Sequence, residues 1–242
     1  MKKIFTFAAL VVASGLHAQI TDPVATEVWH PVPRVVTYQG TSTVPSDAIV
    51  LFGGNNLEQW VNDKDGGKAM WEVKDGIFTV KAGTGDIKTK QKFGSCQLHL
   101  EFRTPAVVDG TGQGRGNSGV FFQEKYEVQI LDNYNNVTYS NGQCASVYKQ
   151  HIPLVNACKG PGEWQSYDII FTAPVFNKDG VKVASGYFTV IQNGILVQNH
   201  VEIKGTTEYI GLPKNEMHGL GSIKLQDHGN PMSFRNVWVR EL

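Results

Sequence analysis

The sequence predicts an all-β protein built as one antiparallel β-sandwich of the jelly-roll kind, and three observations carry that expectation. From Asp47 to Leu242 the chain falls into short runs rich in Val, Ile, Phe, Tyr and Trp, separated by Gly, Asn and Asp. Two separators, Asp75-Gly76 and Asn193-Gly194, supply the positive φ that tight hairpin turns need. No segment sustains a helical period, apart from a candidate turn near Asn55–Trp60, so nothing alternates with the strands as an α/β fold requires.

Ahead of the strands lie two other segments. Residues 1–18 have the form of a secretory leader: Lys2 and Lys3, an apolar run from Ile4 to Val12, then small residues before Ala18. That run is too short to span a bilayer, and no cysteine follows Ala18 to take a lipid, so the expected location is periplasmic or secreted, without membrane insertion. Residues 19–46 hold Pro23, Pro31, Pro33 and Pro45 with little periodicity, and read as an extended arm. The domain proper is placed at 47–242. With 22 basic and 22 acidic residues the chain carries no electrostatic footprint for nucleic acid.

The expected strands follow in order: AIVLF (48–52), a hairpin over 70–81, CQLHLEFR (96–103), GVFFQ (119–123), YEVQIL (126–131), WQSYDIIFTA (164–173), a hairpin over 186–203, SIKLQDHG (222–229) and SFRNVWVREL (233–242). Cys96 shares parity with Leu98, Leu100 and Phe102 and reads as a buried thiol. Cys144 and Cys158 flank a short segment and in an oxidising compartment could close a loop; the alternative is that all three cysteines are free.

Strand parity also places the polar candidates, because alternate side chains point to opposite faces. Glu127 and Gln129 lie opposite Tyr126, Val128 and Ile130. Lys224, Gln226 and His228 lie opposite Ile223, Leu225 and Asp227, and His99, Glu101 and Arg103 lie opposite Leu98, Leu100 and Phe102. A sandwich could gather the three polar sets into one cleft, where aromatic rings stack on sugars while amides and carboxylates fix hydroxyls. Glu127, His228, Lys224 and Glu101 are the catalytic candidates. Arg103, Asn117, Gln129, Gln226, His99, Asp132 and Tyr148 are the substrate-binding ones.

Each candidate has a plainer reading. A Glu-x-Gln pair can be a solvated face, His228 before Gly229 a turn residue, Glu101 and Arg103 an ion pair, and Asp132 a turn cap. His151, His200 and Asp227 are weighed as structural. If Glu101 and Glu127 converged they would form the two-carboxylate machinery of an ordinary glycosidase. A non-catalytic carbohydrate-binding module is the alternative from a different class, since such sandwiches host lectins as well as enzymes. None of these residues falls in a metal-ligand spacing; no cofactor is expected, and a divalent cation is allowed but not implied.

The motifs LFGGNNLEQW, W-x-V-x-DG, LHLEFR, NSGVFFQ, YEVQILD, PGEWQSYDIIF, NGILVQNHVE and LQDHGNPMSFRNVWVREL occur in that order from about residue 47 to the end. Together they resemble the 3-keto-disaccharide hydrolase family, also described as 3-keto-glucoside 1,2-lyases and 3-keto-2-hydroxyglucal hydratases. The resemblance implies a concanavalin A-like jelly roll acting on a glycoside or oligosaccharide whose sugar is oxidised at C3, by elimination and hydration. A ketone at C3 acidifies the C2 proton, so a base can remove it and the C1 substituent can depart. Glu127 or His228 would then be the base and the other the acid, with Lys224 or Arg103 polarising the ketone and Gln129, Gln226 and Asn117 orienting hydroxyls. Lys224 stands where the family often has arginine, and the two loop cysteines stand where small residues are usual.

Overall fold

In the structure, a computed structural model, residues 21–38 and 44–242 are described; the leader expected over 1–18 lies outside them. The chain divides into a unit ending at Val36 and a second running Thr37–Leu242. The described part of the first is exposed throughout, with one 3-10 turn at Pro23–Thr26 whose N-cap Asp22 accepts from the Val24 N–H.

The second unit is two stacked antiparallel sheets. One sheet is built from β1 (Ile49–Phe52), β3 (Glu72–Lys74), β4 (Ile77–Thr79), β6 (Cys96–Arg103), β9 (Gln165–Thr172), β12 (Gly186–Gln192), β13 (Ile195–Ile203) and β15 (Ser233–Glu241). Its order is β13-β12-β9-β6-β15-β4-β3, with β1 also pairing β15. The other is built from β2 (Trp60–Asn62), β5 (Ile87–Thr89), β7 (Asn117–Phe122), β8 (Tyr126–Leu131) and β14 (Lys224–Leu225), in the order β2-β5-β14-β7-β8. A separate ribbon pairs β10 (Val175–Phe176) with β11 (Lys182–Ala184). Among the described residues the helical content is three 3-10 turns, and residues 55–59 hold only a bend and a turn before β2 begins at Trp60.

Both marked hairpins form where the sequence puts them. Asp75 and Gly76 take φ of 52° and 77°, and Asn193 and Gly194 take 54° and 79°, the left-handed pair whose twist matches the strands they join. The short strands β2, β5, β10 and β11 carry too few residues for an alternation to be read, and they pair with strands as short as themselves.

The core is the layer between the sheets. Leu98, Leu100, Phe102, Ile169, Phe171 and Phe188 face Val120, Phe122, Tyr126, Val128 and Ile130. The Phe122 ring lies 4.9 Å from Phe171 and 5.2 Å from Phe188, joining the two sheets through aromatic contact. Cys96 is buried as expected. Cys144 and Cys158 are free thiols, and both sulfurs lie 3.6 Å from Nε2 of Gln192.

Candidate active site

The β7–β8 hairpin carries the site. Its residues pair Phe121 with Glu127 and Gly119 with Gln129. With Val120, Phe122, Tyr126, Val128 and Ile130 in the core, alternation sends Phe121, Glu127 and Gln129 to the sheet's other face. That face forms the wall of a hollow of about 690 Å³, lined by Asn117, Phe121, Glu127, Gln129, Tyr148, Lys149, Gln226 and His228 among others. This volume falls within the range of small-molecule sites.

Two loops close the edge of β8 and make the strand wholly buried. The Ser146 carbonyl accepts from Gln129 N–H at 3.0 Å, and Tyr148 N–H donates to the Glu127 carbonyl at 3.2 Å, so the loop over residues 144–148 caps the edge around the single bridge of Val128 with Val147. From the other loop, the Thr207 hydroxyl accepts from the Glu127 N–H at 2.9 Å. These bonds satisfy an edge that would otherwise be open, and they bring Tyr148, Lys149, Thr207 and Tyr209 to the hollow.

Glu127 is 4% exposed, and among the described residues no hydrogen bond reaches its carboxylate. Burial pushes its pKa from the ordinary carboxylate range up to about 8; Lys224 pulls the other way and Asp86 adds to the rise. Gly119 makes room for the group, because a Cβ there would sit 2.5 Å from Glu127 Oε1 and 2.9 Å from the Phe121 ring. Asn117 donates to the Gln113 carbonyl, yet its Oδ1 is buried without a partner. The Gln129 side chain donates to Gln113 Oε1 and accepts from the Ile130 N–H. Gln226 is anchored by its backbone to Gly119 and Ser118, and His228 is exposed at the mouth.

Where the loop meets β8, the Tyr139 and Tyr148 hydroxyls are 2.6 Å apart. Lys149 Nζ lies 4.5 Å from the Tyr209 ring centroid and 5.7 Å from those of Tyr139 and Tyr148, within the range of cation–π attraction.

Six of the candidates read from sequence therefore line one hollow: Glu127, His228, Asn117, Gln129, Gln226 and Tyr148. Five others do not. His99, Glu101 and Arg103 point outward as their parity requires, but from β6, in the other sheet, so the whole sandwich stands between them and Glu127. Parity gives a face and not which sheet owns it. Glu101 pairs with Arg235 at 2.6 Å instead of Arg103, whose guanidinium lies over Trp164, and His99 bonds Asp168 at 2.7 Å and stacks on Trp238. Asp132 forms a buried ion pair with Arg115 at 2.7 Å that ties two loops together. Lys224 lies beside the hollow, with its ammonium 4.4 Å from the Phe121 ring centroid, and is drawn to Asp86 at 3.1 Å and Asp63 at 3.7 Å.

His151, His200 and Asp227 do not line the hollow. They bond the Glu202 carbonyl, stack on Tyr187, and accept from Gly85 and Gly229, respectively. Gln113, Tyr139, Lys149, Thr207 and Tyr209 also line the hollow, and strand parity does not point to them. They stand in loops without period, and the one local signal was aromatic and basic residues crowded among turn formers, as in SVYKQ and TTEYI.

Residues 47–240 match the family model of the 3-keto-alpha-glucoside-1,2-lyase-like domain. The chain belongs to this family. Within the 3-keto-alpha-glucoside-1,2-lyase-like family it is similar to the 3-keto-disaccharide hydrolase of Bacteroides thetaiotaomicron VPI-5482, at 25% identity over 82% of this chain and 81% of that one. It is also similar to a solved structure of a candidate glycosyl hydrolase from Parabacteroides distasonis ATCC 8503, at 53% identity and a TM-score of 0.88, covering 91% of this chain and 97% of the other. A second candidate glycosyl hydrolase from that species matches at 26% identity and a TM-score of 0.56, covering 81% and 99%. The protein is a carbohydrate-active enzyme of the glycoside hydrolase type.

Proposed function

We propose that the enzyme cleaves 3-keto-glycosides by elimination across C1–C2 followed by hydration, with Glu127 as the base at C2. The observation that carries this reading is the acid count of the hollow. Among the described residues Glu127 is the one carboxylate lining it, and residues 1–20 and 39–43 contain no Asp or Glu. An ordinary glycosidase needs two carboxyl groups flanking the bond, roughly 5–10 Å apart. Glu101, the second carboxylate of that alternative, projects from the far sheet.

A single carboxyl group suffices when the substrate supplies its own acidic proton. The C3 ketone lets the charge left by the C2 proton spread onto oxygen as an enolate, and a carboxylate with pKa near 8 is a stronger base than an ordinary one. The Gln226 carboxamide, without a hydrogen-bond partner among the described residues, offers N–H donors to that oxygen. The unpartnered Oδ1 of Asn117 would take a sugar hydroxyl, and Phe121 would lie against a sugar face. His228, in contact with water, would bond the sugar at the mouth. The first 18 residues support secretion or export to the periplasm, where such sugars would be met.

The test is incubation with matched glucosides and 3-ketoglucosides in deuterated water, following aglycone release and the hydrogen at C2. Release confined to the ketosugar, with solvent deuterium entering C2, is the expected result. Equal release from the unoxidised glucoside, or rapid release with no deuterium at C2, would overturn it.

A further inference from the structure

Elimination needs a second proton donor, at the leaving oxygen, and Glu127 cannot fill that role while it holds the C2 proton. We propose that Tyr148 is the acid that protonates the leaving oxygen at C1, with Tyr139 as its positioning residue; this rests on the reading of the site as a 3-keto-glycoside lyase.

The backbone link between the two residues carries the inference. Val128 and Val147 form an isolated bridge, and beside it the Tyr148 N–H, at the start of a turn, donates to the Glu127 carbonyl at 3.2 Å. Both line the hollow, as groups acting on adjacent carbons must. Tyr148 is 8% exposed, whereas Tyr139, bonded to it at 2.6 Å, is 40% exposed and reaches water. Burial, then Tyr139, then the Glu127 charge hold the Tyr148 phenol above its usual range, so it keeps its proton at neutral pH. Lys149, beside both rings, supplies positive charge for a transient phenolate.

The atoms balance without a further reactant. Glu127 takes the C2 proton and the C–H electron pair enters the enolate. The enolate then collapses, C1=C2 forms, the C1–O bond breaks with its electrons on the leaving oxygen, and the Tyr148 O–H proton passes to that oxygen. The Tyr148 phenolate, receiving a hydrogen bond from Tyr139, takes a proton from the water that adds at C1. Glu127 returns a proton to C2, and both residues regain their starting states.

The experiment compares methyl and 4-nitrophenyl 3-ketoglucosides with wild type, Tyr148→Phe and Tyr139→Phe, alongside C2 deuterium exchange and thermal melting. An alkoxide needs a proton in order to leave and a nitrophenolate does not. Tyr148→Phe should therefore lose about 10²–10⁴-fold on the methyl substrate, less than about 10-fold on the nitrophenyl one, and keep C2 exchange. Tyr139→Phe should show the same bias at smaller size. Equal losses on both leaving groups in a variant that melts normally, or no loss on either, would overturn the role of Tyr148 and leave the lyase reading standing. A wild type that releases neither aglycone would overturn the lyase reading and, with it, this inference.

Discussion

A carboxyl group taken out of water without a partner resists ionisation, and Glu127 is in that position. If it is the base, kcat/KM should rise with pH along a limb whose midpoint is near 8; a flat profile from pH 6 to 9 would remove Glu127 from that role. The same shift acts on stability. The folded chain keeps a proton that the unfolded chain releases near pH 4.5, so the contribution is fully present below that pH and is lost as pH rises towards 8. Each unit is worth about 1.4 kcal/mol. Glu127→Gln should therefore gain stability over wild type at pH 9 and little at pH 4, measured by urea unfolding, while turnover falls by about 10²-fold or more and sugar affinity persists. Gly119→Ala would place a methyl group against Oε1. Its expected signature is a clear fall in kcat with a small shift in Tm, because the flexible end of Glu127 yields before the strand does.

At the scale of elements, the hairpin β7–β8 is half of the site and the loops along its edge are the other half. The strand gives Glu127 and Gln129 a fixed direction through alternation, while the loop segment 144–148 and the Thr207 hydroxyl close its edge and deliver the phenols and the lysine. The two ends of the hairpin, just before β7 and just after β8, are tied together by the Arg115–Asp132 pair, both partners of which are buried. Burial raises the Asp132 pKa despite the Tyr134 N–H and Arg115 beside it, so desolvation is the larger effect. Asp132→Asn leaves Arg115 buried without its counter-charge and should cost about 3–5 kcal/mol in urea unfolding. Because Asp132 lies outside the hollow, surviving folded protein should retain most of its C2 exchange activity; an unchanged stability would mean that Arg115 finds another partner.

For the whole molecule, the sandwich separates what parity alone would have merged. Glu101 and Glu127 each stand on the outward face of a strand, but of different sheets with the aromatic core between them. Glu101→Gln should leave turnover within about two-fold and lower stability modestly, by up to about 1 kcal/mol, as expected for a partly exposed pair with Arg235. A loss of turnover comparable to that of Glu127→Gln would revive the two-carboxylate mechanism. Phe122→Ala, which unseats the contact between the sheets, should cost about 3–5 kcal/mol.

Local quantities are written in the order of the amino acids: β6 and β8 with their bounds, both left-handed hairpin turns, and which side chains of each of these strands face the core. These follow from a two-residue period and from the φ that Asp-Gly and Asn-Gly tolerate, neither of which needs a distant neighbour. The assembly decided the rest: that β6 and β8 lie in opposite sheets, that Lys224 faces Asp63 and Asp86, and that Tyr139, Tyr148 and Lys149 line the same hollow as Glu127. Sheet membership and loop docking are set by contacts between residues far apart in the chain, satisfied only when the core closes, and no periodicity records them.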